Sequence, residues 1–279
     1  MLEAMQQQKK EAAANANVKE YWENCGTREP FWGVLTSADY KGRQTLDAES
    51  EETFFASGAD EVSFFEKTLR TYAGVDLDTL GSSDESTFLD LGCGVGRVAV
   101  HMARRCSHIV CVDIAESYLQ LLRETCSQRG VSNFSAVTLD ALLKPSYSPG
   151  ATRQLRFIYS LITLQHNTPA LIVTLIRRVC MLLAPGGYAL LHAPYFIPGH
   201  VIKDFPDVMQ MNYVPQEDVA RQIAASGCEL VHVVDDVDYC GGGIENAVYI
   251  VRKPISPAVL GRLAEDDDEE DDAEEPAEA

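Results

Sequence analysis

The sequence predicts an α/β fold built on a doubly wound, mostly parallel sheet, and three observations carry that reading. Short apolar runs alternate with segments of helical period from residue 88 onward, which calls for helices on both faces of a sheet. The first run, Phe88–Leu91, stops in glycines at alternate positions, Gly92, Gly94 and Gly96, and a helix opens at once. The last two runs, 229–234 and 246–252, are joined across Gly241-Gly242-Gly243 with no helix between them, so one strand runs antiparallel. Together these give a Rossmann-like sheet of seven strands behind an N-terminal helical cap.

The elements follow in order. Residues 1 to about 17 are polar and read as a helix or a frayed arm, and 18–80 form a cap rich in aromatic pairs, with a helix expected over 60–72 after Gly58. Strand one is Phe88–Leu91 and its helix spans about 96–106, with Ala99, Met102, Ala103 and Cys106 on one face. Strand two is Ile109–Val112, followed by a helix over 115–128 that ends near Gly130. Strand three lies near Phe134–Leu139 and strand four over Phe157–Leu164. Pro169 then opens a helix with Ile172, Ile176, Val179 and Leu183 at helical spacing. Pro185-Gly186-Gly187 turns into strand five, Tyr188–Ala193, and an irregular segment, 194–213, precedes a helix over 215–226. The expected division is therefore 1–80 for arm and cap, 81–254 for the ligand-binding domain, and 255–279 for a tail.

Composition excludes several classes. The net charge of −19 is concentrated in the tail: residues 265–279 hold 11 acids and no base, leaving 31 acidic against 23 basic residues in the body. Such a block repels itself and has nothing to bury, so it is expected to be disordered, either solubilising the chain or docking a basic protein partner. A mildly acidic body with no basic stripe argues against nucleic acid as substrate. No apolar run is long enough to span a bilayer, and the N-terminus lacks the apolar core of a secretory signal, so a cytoplasmic protein is expected. The eight cysteines are scattered without a C-x-x-C pair, which predicts reduced thiols and no metal site.

The chemistry lies at the strand ends. Asp90, Asp113 and Asp140 end the first three strands, and in an open parallel sheet all three project toward the crevice beyond the carboxyl ends. Asp113 is placed to accept hydrogen bonds from two ribose hydroxyls, Asp140 from an exocyclic adenine amine, and Asp90 from a cationic amino group. Each has a plainer reading: Asp113 as a helix cap, Asp140 as a cap or turn residue, Asp90 as a partner for nearby backbone N–H groups. A nicotinamide dinucleotide requires G-x-G-x-x-G, and here the third glycine comes one residue early, with Arg97 in its place. A carboxylate just ahead of the turn also disfavours a pyrophosphate. Adenosine joined to a cationic amino-acid end fits better, and S-adenosylmethionine is such a ligand.

These residues resemble the class I S-adenosylmethionine-dependent methyltransferases over roughly 88–253, most specifically in LDLGCGVG, VDIAESYL and LAPGGY. The segment YSLITLQHNTP is similar to the strand-four region of the small-molecule branch, and PFWGVLT with FFASG resembles the N-terminal lid of a bacterial subgroup. The resemblance implies that Asp90, Gly92 and Gly94 hold the methionine end, Asp113 the ribose, and Asp140 with Ala141 the adenine. Cys93, Ile114 and Gln165 complete the candidate cofactor-binding set, with Cys93 read as small filling in the turn. Strand four reads RFIYS where the family often has an acid, so that acid's role is absent.

A small or medium-sized acceptor is expected, with O-methylation favoured over N-methylation. Transfer from a sulfonium is a direct displacement, for which a protein mainly supplies alignment and a dry pocket. A hydroxyl acceptor benefits from a base, and the candidates are His166 beyond strand four and His192 at the end of strand five. His101, His108 and His232 read as structural, Arg97 as a surface or ion-pairing residue rather than a substrate ligand, and Trp32, Phe55 and Tyr195 as pocket walls or core. His200 falls in the irregular segment, whose length hints at a lid. A catalytically silent cofactor-binding adaptor and a nicotinamide-dependent oxidoreductase are the competing readings.

Overall fold

The computed structural model describes residues 2–150, 152–202, 205, 207–235 and 239–255. The acidic tail from Glu265 lies outside the described residues. The chain begins with α1 (Leu2–Arg28), α2 (Pro30–Val34), α3 (Ala48–Ala73) and α4 (Leu77–Gly81). It continues through β1 (Ser86–Leu91), α5 (Ala99–Met102), β2 (His108–Asp113), α6 (Glu116–Gln128), β3 (Phe134–Thr138) and α7 (Leu139–Leu142). The last third comprises β4 (Gln154–Ser160), α8 (Pro169–Leu182), β5 (Leu183–Phe196), α9 (Gln216–Ala225), β6 (Glu229–Asp235) and β7 (Glu245–Arg252). The sheet has seven strands in the order β3-β2-β1-β4-β5-β7-β6, and β7 alone runs opposite to the other six. This is the expected architecture. The order reverses between β1 and β4, which opens a crevice at their carboxyl ends.

Side chains alternate across the strands, so the two faces build two layers of core. Leu89, Leu91, Val110, Ile158 and Leu191 face α8 and α9, against Ile172, Ile176, Val179 and Ile223. Phe88, Phe157, Tyr159 and Leu190 face α3 and α6, against Phe65, Leu69, Leu119 and Leu122. Phe157 is fully buried among the rings of Phe65, Phe88 and Tyr159, and truncating it to Ala would cost about 3–5 kcal/mol. A third cluster, with Phe54, Phe55, Val95, Val100 and Tyr118, lies beneath the cap.

Several boundaries differ from the sequence reading. The polar N-terminal segment is one 27-residue helix continuing through Arg28. The cap helix starts at Ala48, twelve positions before its expected start, with Asp47 accepting the Ser50 N–H at 2.9 Å. Gly58 lies within it because a side chain there would collide with the backbone carbonyl of Arg97. The helix expected over 96–106 is one α turn, Ala99–Met102, running into a 3-10 turn over Ala103–Arg105. The glycine turn occupies the residues that would have formed its start.

Candidate active site

The carboxyl ends of β1, β2 and β4 and the start of α7 converge on a cleft of about 920 Å³, open space at its mouth included, and the cap roofs it with Trp22, Gly33 and Val34. Its floor is the glycine turn after β1. Gly92 and Cys93 donate their N–H groups to the Val112 carbonyl at 2.8 and 3.0 Å, which ties the turn to the end of β2. Gly94 has φ of 51°, and a side chain on it would approach Val34 Cγ2 to 2.6 Å. A larger residue would therefore both strain the turn and push the cap away.

Two carboxylates are buried here. Asp113 bridges the turn and the strand behind it: one oxygen accepts the Gly94 N–H at 2.9 Å and the other the Ala115 N–H at 3.0 Å. Burial pushes its pKa up to about 6, opposed by those backbone bonds. Asp90 is pushed up to about 7, chiefly by burial and further by the Asp113 charge, while Tyr159 and Arg97 favour its ionised form. Two like charges in a dry cleft invite a cation, whose arrival would complete the ionisation of Asp90. Asp113 does not cap α6. That role belongs to Glu23 of α1, whose carboxylate accepts the N–H groups of Glu116 and Ser117 at 2.8 and 3.0 Å. Burial raises the Glu23 pKa, but these amide bonds and the Lys19 charge hold it below the usual carboxylate range. A carboxylate at a helix N-terminus also complements the helix dipole, and here it fastens the cap beside the cleft.

Arg97 pairs with an acid, as one of its two expected roles, but it is buried and not on the surface. Its side chain is only 6% exposed, lines the cleft, and pairs with Glu61 of α3 at 3.2 Å and with the Ser57 hydroxyl at 3.1 Å. Tyr239 donates to the other Glu61 oxygen at 2.6 Å. The Arg97 Nε is buried with no hydrogen-bond partner, while the buried Tyr159 hydroxyl faces Asp90. Unpaired donors in a cleft cost free energy unless a ligand meets them. The usable signals were Gly58 and Glu61, whose contact with Arg97 spans about forty residues of sequence.

The other candidates divide sharply. Cys93 and Ile114 line the cleft with Asp90, Gly92, Gly94 and Asp113. Asp140 does not join them: its side chain is 74% exposed and paired with Lys19 of α1 at 2.9 Å, while its neighbour Leu139 faces the cleft. The Ala141 N–H is capped by the Thr138 hydroxyl at 3.2 Å. Gln165 is fully buried behind the lining, its amide nitrogen 3.9 Å from Cys240 Sγ and its Oε1 without a partner. Trp32 and Phe55 belong to the cap and its core, and Tyr195 lies away from the cleft near Leu230 and Tyr249.

The two candidate bases differ in what their nitrogens do. His166 lines the cleft, with Nδ1 at 2.8 Å from the Gln210 carbonyl and the Trp22 ring edge-on at 5.0 Å. A carbonyl only accepts, so Nδ1 carries the proton and Nε2 keeps its lone pair. Burial lowers the His166 pKa to about 4, against that carbonyl bond, so the ring is neutral at pH 7. Residues 210–212 thus support the site: Asn212 donates its backbone N–H to the Gln165 carbonyl at 2.7 Å and its side-chain amide to the Asn167 carbonyl at 2.9 Å. His192, expected as a second base, is fully buried and has both nitrogens engaged, by the Ile162 N–H at 3.2 Å and Asn246 Oδ1 at 2.9 Å. No lone pair remains for a substrate. Among the described residues no group of His, Cys, Asp and Glu could hold a metal ion, and no helix is long and apolar enough to cross a membrane.

Comparison with known proteins agrees with this geometry. Residues 88–187 match a family model described as a methyltransferase domain. No curated protein sequence matches the chain. Among solved structures, an S-adenosylmethionine-dependent methyltransferase from Leishmania major is 13% identical with a TM-score of 0.57, covering 86% of this chain and 83% of its own. Magnesium protoporphyrin IX methyltransferase from Synechocystis PCC 6803, with bound S-adenosylmethionine, is 14% identical with a TM-score of 0.55, over 86% and 97%. A (4+2)-cyclase has the same fold at 15% identity and a TM-score of 0.51, over 64% and 79%. At these identities the likeness carries the fold, which several reactions share. Over residues 88–187 the chain is similar to methyltransferase domains, and its sheet with the flanking helices has the fold of the class I methyltransferases.

Proposed function

We propose that the protein transfers a methyl group from S-adenosylmethionine to a small or medium-sized acceptor, with a hydroxyl oxygen favoured over nitrogen. The residues present fit the cofactor. The buried carboxylate of Asp90 suits an ammonium group, the unpaired Nε of Arg97 a carboxylate, and the remaining lone pairs of Asp113 a pair of ribose hydroxyls. Apolar walls from Val112, Ile114 and Leu139 suit an adenine ring. Asp140, bound to Lys19, reaches an exocyclic amine only by leaving that pair. When bound, S-adenosylmethionine supplies an electrophilic methyl carbon on a sulfonium.

The observation that carries the hydroxyl preference is His166 Nε2, a neutral imidazole lone pair held in the same cleft by the Gln210 carbonyl and Trp22. It can accept the proton of a hydroxyl as the oxygen's lone pair attacks. The Trp22 and Tyr118 rings and Ile162 exclude water and align the acceptor. Assay of small-molecule extracts for a labelled methyl product tests this reading. Expected is label in a neutral hydroxyl-bearing compound, with His166→Asn reducing turnover by about 10²- to 10⁴-fold while product-cofactor binding is retained. Cofactor binding without methyl transfer to any acceptor would favour a silent adaptor, or chemistry of the kind the cyclase performs on this fold.

A further inference from the structure

Behind the cleft, a directional chain of hydrogen bonds ends on Ile162, the one non-glycine residue with positive φ (51°) among the described residues. The Asn246 amide nitrogen donates to the Ile244 carbonyl at 3.1 Å, which turns Asn246 Oδ1 toward His192 Nε2 at 2.9 Å. An oxygen acceptor there requires the ring proton on Nε2, leaving Nδ1 to accept the Ile162 N–H at 3.2 Å. The ring is fully buried, with Tyr239 edge-on at 5.1 Å. In a planar trans peptide the Leu161 carbonyl points opposite to the Ile162 N–H, away from His192. That carbonyl accepts the Thr163 hydroxyl at 3.0 Å, and Thr163 packs directly over Gly92, the first glycine of the turn.

We infer that His192 is a positioning residue: through Ile162 it holds the 161–162 peptide so that the Leu161 carbonyl faces the cleft beside Gly92, as an acceptor for the cofactor's ammonium group. The inference rests on the reading of the cleft as an S-adenosylmethionine site. A β-branched residue stays in the left-handed region only where its surroundings over-determine it. His192 Nδ1 supplies that constraint. Without it Ile162 relaxes toward extended backbone, the peptide turns, and the carbonyl leaves the cleft.

Two measurements decide. Nitrogen-15 spectra of the wild-type histidine rings should show His192 as the Nε2–H tautomer at neutral pH; an Nδ1–H tautomer overturns the inference, because that nitrogen could not accept from Ile162. S-adenosylhomocysteine binding is then compared for His192→Leu, which has no acceptor, and His192→Asn, which puts an amide oxygen near the place of Nδ1. The Leu variant should bind about tenfold more weakly, the equivalent of one hydrogen bond to a charged group, with a shifted Ile162 amide resonance, and the Asn variant should bind like wild type. Equal binding by all three overturns the inference. Should the Leu variant fail to fold, Asn246→Leu substitutes: a mixed His192 tautomer with weakened binding supports the inference, and an unchanged tautomer and affinity overturn it. A wild-type protein that binds no S-adenosylhomocysteine fails at the cofactor reading itself, whereas wild-type binding without loss in the variants fails at His192 alone.

Discussion

The two halves of the cleft are built in opposite ways. The half at β1 and β2 comes from one stretch of chain: Asp90, Gly92, Gly94 and Asp113 lie within 24 residues, and the turn is tied to the end of β2 by the Gly92 and Cys93 N–H groups on the Val112 carbonyl and the Gly94 N–H on the Asp113 carboxylate, at 2.8 to 3.0 Å. The half at β4 is assembled from distant segments, with His166 set by Gln210 and Trp22, and Ile162 set by His192 and Asn246. A continuous motif fixes the recognition of a common ligand. A dispersed set of contacts leaves room for acceptors to vary while the cofactor half stays constant.

The largest effect is expected at the joint of the continuous half. Asp113→Ala leaves the Gly94 and Ala115 N–H groups without partners, at about 1–3 kcal/mol each, and removes the ribose acceptor. The rise in Tm that S-adenosylhomocysteine gives wild type should disappear in this variant, as scanning calorimetry would show. Arg97→Met comes next, because it removes the countercharge of Glu61, whose side chain is 14% exposed and keeps only the Tyr239 hydroxyl, at a cost of up to about 3–5 kcal/mol. The double variant Arg97→Met/Glu61→Leu should recover much of that stability in urea unfolding but not the binding, separating the arginine's structural role from its ligand role.

Gly94→Ala tests whether the halves are coupled through the cap. The φ of 51° and the approach to Val34 predict a loss of about 1–2 kcal/mol, part of which Val34→Ala in the same chain should restore. Strict additivity in that cycle would mean that cap and turn are independent. The smallest effect is expected at Glu23→Gln, which keeps one acceptor oxygen for the α6 N-terminus, loses the charge and turns its NH2 toward the other N–H, at about 0.5–1.5 kcal/mol in denaturant titration.

The same contrast explains what the sequence made legible. The seven alternating strands, the one antiparallel strand and the glycine turn follow from local periodicity and from glycines at fixed spacing, all of which are short-range signals, whereas the order of the strands is set by the tertiary fold. Asp140 lies just past its strand, in the first turn of α7, but Lys19, more than a hundred residues away, draws it outward. Arg97 reads as either a surface or an ion-pairing residue until α3 packs Glu61 and Gly58 against it and decides for the buried pair. His166 and His192 look alike as histidines at strand ends. Their roles diverge because a carbonyl meets one ring nitrogen of the first, while an amide N–H and an asparagine occupy both nitrogens of the second. Only the tertiary fold supplies those partners.

The raised pKa values of Asp90 and Asp113 give the cofactor half its own signature. Both carboxyls hold protons in the folded state at pH values where they are ionised when unfolded. They therefore favour the unliganded fold at low pH, and that contribution is lost as pH rises toward about 6 and 7. A cationic ligand reverses the preference, since it binds the ionised pair. The most direct measurement is calorimetric titration of S-adenosylhomocysteine in buffers of different ionisation enthalpy. Binding should release about one proton near pH 6 and almost none above about pH 8, with affinity rising through that interval. Absence of binding heat at every pH, or binding with no proton release near pH 6, would contradict the assignment of this cleft to a cofactor with a cationic amino-acid end.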